Sequence, residues 1–235
     1  MIAAESLTAK GAATRDRIVV TAADLVLERG ARGTSLDDIR AATATSKSQL
    51  FHYFPDGKGE LIEAIATLQA ERVLDAQRPH LERLDSWSDW DAWVAAVINH
   101  YACQRHLRCP IGALTAELIA SEPERAALLT AFMDRWLGFL AAGVRRMVAG
   151  GRLHPATDAD ALALSVFASL QGGLALMAIG DSIEPLRAAL DGAMSALRAH
   201  ADPRRAPRVA TVRRDTRVKT GSEGSTERSK ADLAR

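Results

Sequence analysis

Aromatic residues are scarce in this chain, 5% of 235 positions, and cysteine is scarcer still, with two. No stretch sustains the alternation of β-branched and polar residues that a half-buried strand needs, which argues against a sheet architecture. Cys103 and Cys109 are too few for a disulfide framework and fit a reducing compartment. No uninterrupted apolar run reaches the roughly 18 residues of a bilayer span, so no transmembrane helix is expected. The opening MIAAESLTAKGAATRDR has no apolar signal core, and a cytoplasmic location without membrane partners is expected. Also lacking are G-x-S-x-G, H-E-x-x-H and a phosphate-binding glycine loop, so the chain is not expected to be an enzyme or to hold a cofactor. Nor does one charge sign dominate, since the formal net charge is +1.

What is present is alanine and leucine in quantity, within a hydrophobic content of 48%. That profile predicts an all-α fold. The charge is unevenly spread: Lys/Arg against Asp/Glu run 8 to 8 over residues 1–60, 12 to 16 over 61–201, and 10 to 5 over 202–235. A polyanion bound by the N-terminal part must therefore meet a few well-placed cations and not a broad basic field.

Ile18, Ala22, Leu25 and Val26 form one apolar stripe on a helix expected over 14–29, ended by Gly30 and Gly33. Ser35 with Asp38 three residues on predicts a capped second helix to Thr43. After a short turn, Ser46 with Gln49 caps a third helix, stopped before Pro55. A fourth is expected over 58–78, carrying Leu61, Ile62, Ile65 and Leu68 inward. Further helices are expected over 87–107, 110–120, 124–149, 158–180 and 183–200. Beyond Asp202 periodicity vanishes, which predicts a disordered basic tail over 202–235. The expected organisation is thus a disordered 1–13, a helix-turn-helix domain over 14–73, a larger helical domain over 74–201, and the tail.

The third helix reads SKSQLFHYF, an unusual mixture of cations, amides and aromatics. Leu50 and Phe54, four apart, belong to the core of the small domain. Lys47, Ser48, Gln49, Phe51, His52 and Tyr53 then remain for contacts outside it. A recognition helix lying in the major groove accounts for such a set. Gln49 suits adenine N6 and N7, Phe51 suits thymine methyls or sugars, and Lys47, His52, Tyr53 and Lys58 suit phosphates, helped by Ser35. Capping and base reading compete for Gln49. The competing interpretation, a surface helix that binds protein, does not explain why cations and caps alternate with the aromatics.

The stretch TRDRIVVTAADLVLERGARGTSLDDIRAATATSKSQLFHYFPDGKGELIEAI, about residues 14–65, resembles the DNA-binding region of TetR-type transcriptional regulators. It carries T-R-x-R-I, the E-R-G turn, T-S-x-D-D-I and S-K-x-x-L-F-H-Y-F. FPDGKGEL and CPIGALTAEL are more weakly similar to a drug- and flavonoid-responsive subgroup. The family commonly has Gly-Val where this chain has Ala44 and Thr45, so Ala44 is expected in a conformation easier for glycine. Ser48 replaces a further common glycine. The resemblance implies a homodimeric repressor that binds a pseudo-palindromic DNA operator and is released by a small, largely apolar effector.

That expectation directs attention to the larger domain. Trp93, Tyr101, Leu114, Phe132, Trp136, Phe167 and Gln171 are candidate walls of an effector cavity, with ordinary core packing as the alternative. Gln171, in the apolar run FASLQGGLALM, must find a partner in a ligand, a backbone group or a second subunit. His100, Cys103, His106 and Cys109 recur every third residue, but that step turns around a helix and cannot gather a metal set, so no metal is expected. Cys109, before Pro110, is a candidate thiol sensor, with an inert buried thiol as the alternative. A different class of function is also compatible with the sequence: an architectural DNA-binding protein whose basic tail dominates.

Overall fold

The computed structural model describes residues 7–104, 107, 109–111, 114 and 123–202. Among these residues it is all-helical, with no β-strand. The small domain comprises α1 (Ala9–Arg29), α2 (Leu36–Thr43), α3 (Lys47–Tyr53) and the first turns of α4 (Lys58–Asp75). The first helix starts five residues before the expected Thr14, because Thr8 caps it by accepting the Gly11 N–H at 3.2 Å. The expected disordered stretch over 1–13 is therefore helical from Ala9.

Both predicted capping boxes form. The Ser35 hydroxyl accepts the Asp38 N–H at 3.1 Å while Asp38 accepts the Ser35 N–H at 2.8 Å. Ser46 and Gln49 repeat this pattern at 3.1 Å in each direction. Each box satisfies N–H groups that a short helix would otherwise leave unpaired. Ala44 closes α2 at φ 50° and ψ 39°, the left-handed conformation expected of it. An L-residue there costs about 1–2 kcal/mol. Ile18, Ala22, Val26, Ile39, Leu50, Phe54, Leu61 and Ile65 fill the core beneath these helices. Their burial fixes α3 with one edge inward and the other free.

The larger domain begins on the rest of α4 and continues through α5 (Trp87–Ala102), α6 (Pro123–Ala149), α7 (Ala159–Gly180) and α8 (Glu184–Ala199). The fourth and fifth helices stop at Asp75 and Ala102, short of the expected 78 and 107. Most of the helix expected over 110–120, the tail over 203–235, and His106 lie outside the described residues. Helices α7 and α8 pack as an antiparallel pair, closely enough that a Cβ on Gly173 would sit 2.8 Å from Ala189 Cβ. A short antiparallel bridge between Leu153 and Ala201 ties the end of α8 to the turn before α7.

Uninterrupted apolar runs are absent, yet Ala127–Ala149 and Ala159–Gly180 each contain an 18-residue stretch of high mean hydropathy. By length and composition alone both helices could span a bilayer. In the fold each turns one face into the core, where Leu140, Val144, Met147, Val166, Leu170 and Leu174 are buried. The opposite face of α7 leaves Leu164, Leu176 and Ile179 exposed, Ile179 at 83%.

Candidate DNA interface and the interior of the larger domain

The outer edge of α3 presents Lys47, Ser48, Gln49, Phe51 and His52 to solvent, while Leu50 and Phe54 are buried. Tyr53 is half-buried, packed on the core, with its ring 5.0 Å from that of His52 in an edge-on arrangement. Ser35 is exposed at the start of α2, its hydroxyl engaged with Asp38. Those hydrogen bonds from Ser35 hold the Asp38 carboxyl below its ordinary range. Gln49 spends its Oε1 on the Ser46 N–H, leaving Nε2 as a donor. Reading adenine through both N6 and N7 therefore requires Gln49 to leave its cap. Lys58 donates to the Ala31 carbonyl at 2.6 Å, which engages one of its three ammonium protons.

Two cations that sequence reading passed over brace this unit. Arg17 donates to the Thr43 carbonyl, tying α1 to the end of α2. The Arg15 guanidinium lies 5.0 Å from the centre of the Phe54 ring. Both belong to the T-R-x-R element, the only signal that pointed to them. With α2 and α3 capped, the turn between them held from α1, and a polar edge exposed, this is a helix-turn-helix DNA-binding unit.

Comparison with known proteins agrees with that class and extends it. Residues 18–65 match the family described as bacterial regulatory proteins, tetR family, and residues 90–193 match the tetracyclin repressor-like C-terminal domain. The chain belongs to the TetR family of transcriptional regulators. An HTH-type transcriptional regulator of Mycobacterium tuberculosis, Rv0196, is 29% identical over 186 residues, covering 73% of this chain and 88% of that one. YxaF of Bacillus subtilis, also named an HTH-type transcriptional regulator, is 27% identical over 74% of this chain and 89% of its own. A TetR transcriptional regulator from Chloroflexus aurantiacus superposes with a TM-score of 0.71 at 28% identity, over 83% of this chain and 98% of that structure.

The residues expected to wall an effector cavity are partly gathered. Trp136 contacts Phe132 and Phe167, with ring centres 5.7 and 5.5 Å apart. Trp93 and Trp136 are wholly buried, and both indoles donate to Gln77 Oε1, at 2.8 and 3.1 Å. Gln77 in turn donates its Nε2 to the Val73 carbonyl at 2.7 Å. This amide was not singled out from sequence, because its partners lie 16 and 59 residues away and no local pattern marks it. Tyr101 is buried and its hydroxyl donates to Cys109 Sγ at 3.5 Å; burial pushes the phenol well above its ordinary range. Leu114 is buried beside a narrow crevice, and Phe132 borders a groove of about 240 Å³ between α4 and α6. That groove is crossed by the Arg135–Glu71 ion pair at 2.8 Å, which holds the Glu71 carboxyl below its ordinary range. Gln171 is half-buried, and its Nε2 has no hydrogen-bond partner among the described residues. Of the cysteines, Cys103 is exposed and Cys109 buried.

Proposed function

We propose that the chain is a cytoplasmic, homodimeric repressor that reads a two-fold DNA operator through α3 and is released by a small effector bound in its larger domain. The observation that carries the DNA reading is the division of α3: Leu50 and Phe54 lock it to the core, while Lys47, Ser48, Gln49, Phe51 and His52 line one free edge. Ser35, Tyr53 and Lys58 flank that edge as phosphate contacts. Each bidentate base contact discriminates by about 1–3 kcal/mol, so one short helix is insufficient and two half-sites are needed.

The dimer reading rests on the outer face of α7 and α8. Leu164, Leu176 and Ile179 stand exposed there, and Gly172, Gly180 and Gly192 have open space where a side chain would be. A helix that is apolar all round calls for burial on both sides, and small residues permit close helix approach. The unpartnered Gln171 amide supports a second binding partner for this helix, either the effector or the other subunit. Trp93, Tyr101, Leu114, Phe132, Trp136, Phe167 and Gln171 remain the proposed effector surroundings. To act as a switch, the effector must bind the DNA-incompetent form about a hundredfold tighter or more.

The test is selection of DNA sites from a random pool, with sedimentation of the complex. A two-fold symmetric site bound by two chains is expected. Enrichment of no sequence, or a single chain on a single half-site, would overturn the proposal.

A further inference from the structure

Where α1, α4 and the end of α5 meet, a cavity of about 250 Å³ opens that neither the free edge of α3 nor the Gln77 hydrogen bonds to Trp93 and Trp136 use. Its polar lining comes from all three: Asp24 on α1, Gln69 and Arg72 on α4, His100 and Gln104 at the end of α5. Leu27, Val73 and Pro110 supply apolar wall, and the cavity shares Leu27, Gln69 and Pro110 with a narrow apolar crevice behind it.

Several of these polar groups lack partners among the described residues. Gln69 is 5% exposed, and its amide makes no hydrogen bond among the described residues. Gln104 donates its Nε2 to His100 Nε2 at 2.9 Å, while its Oε1 is buried with no donor among the described residues. Among the described residues neither Asp24 nor Arg72 has an ion-pair partner. A buried amide without a partner is costly, as at Gln69, and a guanidinium on a cavity wall is suited to a carboxylate.

We propose that this cavity binds a small carboxylic acid carrying a hydroxyl or amino group on a one-ring body. The carboxylate meets Arg72, the donor group meets Asp24, Gln69 hydrogen-bonds along the edge, and the ring lies on Leu27, Val73 and Pro110. The volume sits below the roughly 300–1,000 Å³ of drug-sized pockets, which sets the single-ring limit. Burial depresses the His100 pKa, so the imidazole stays neutral and does not rival Arg72 for the anion. Such a ligand would join a helix of the DNA-binding unit to the larger domain. That consequence rests on the proposed effector response; the binding itself does not.

The experiment is calorimetric titration of the full chain with 4-hydroxybenzoate, 3-hydroxybenzoate and 4-aminobenzoate. Benzoate, which lacks the donor, and methyl 4-hydroxybenzoate, which lacks the charge, are the controls. At least one of the three acids is expected to bind about tenfold tighter than both controls. Arg72→Met should weaken it about tenfold, and Asp24→Asn should narrow its advantage over benzoate. Both positions are exposed, and thermal melts confirm that the variants fold. No binding by any of the three at ~1 mM, or binding indifferent to both substitutions, overturns the proposal. Operator binding without ligand is measured alongside. If it persists while the acids fail, only the cavity assignment falls; if it is absent in the wild type, the regulator reading falls separately.

Discussion

Replacing Gln77 by leucine should destabilise the larger domain severely, although leucine is apolar and of similar size. Two buried indole N–H groups, of Trp93 and Trp136, share Gln77 Oε1, and the Val73 carbonyl accepts from Nε2. The substitution strands all three. Each buried unsatisfied group costs about 1–3 kcal/mol. Burying a leucine side chain returns roughly 1.5–3 kcal/mol. The net expectation is a loss of about 3 kcal/mol, equivalent to a fall in Tm of ~6–12 °C for a domain of this size. Denaturant titration followed by circular dichroism measures it, and a loss below about 0.5 kcal/mol would refute the knot as a source of stability. Gln77→Glu sharpens the test through its pH dependence. A protonated glutamate can donate to Val73 and accept both indoles, whereas its buried carboxylate cannot donate and is poorly solvated. Its folded pKa is therefore raised above the unfolded value. Stability should be fullest at acid pH and be lost as pH rises through the folded pKa. A variant that gains stability with rising pH over that range would contradict the geometry.

Three further outcomes are expected. Ser46→Ala removes the cap of the recognition helix and should cost about 0.5–2 kcal/mol of stability and weaken operator binding, read by denaturation and fluorescence anisotropy. Ala44→Gly relieves the left-handed strain but frees the unfolded chain, so it should stabilise by no more than about 1 kcal/mol; a clear destabilisation would count against the strain. Glu71 is held below the ordinary carboxylate range by Arg135, so its contribution is present above the unfolded pKa and is lost as pH falls through the folded one. The pair is nearly half exposed, so solvent screening limits this to about 0–1 kcal/mol, and Glu71→Gln should flatten the acid limb of stability by that amount.

The small domain is legible in the sequence because its determinants are local. Ser35 with Asp38, and Ser46 with Gln49, are boxes closed within four residues, and the structure forms both. Ala44 was legible through the resemblance, since it stands where the family commonly has a glycine, and it adopts the left-handed conformation that glycine takes more easily. The start of α1 was not, because Thr8 caps a polar first turn that carries no apolar stripe. The interior of the larger domain was harder for a different reason. Aromatic content marked Trp93 and Trp136 as important, but aromatic content alone does not distinguish a ligand wall from a core. What distinguishes them is the acceptor, and Gln77 reaches its two indoles across chain separations that no periodicity records. The cavity at Asp24, Gln69 and Gln104 was invisible for the same reason, since it is assembled from three helices.

The most direct test of the central claim compares DNA binding at two salt concentrations for the wild type, Tyr53→Ala and a chain truncated after Asp202. DNA from upstream of the chain's own coding sequence serves as the probe. The account predicts tight, competitor-resistant binding by the wild type, the same for the truncated chain, and loss in Tyr53→Ala. Each phosphate contact removed should reduce the slope of log affinity against log salt by about 0.9. Weak binding that Tyr53→Ala leaves unchanged, that vanishes with the tail and that collapses with salt would contradict it, and would make the tail the DNA contact.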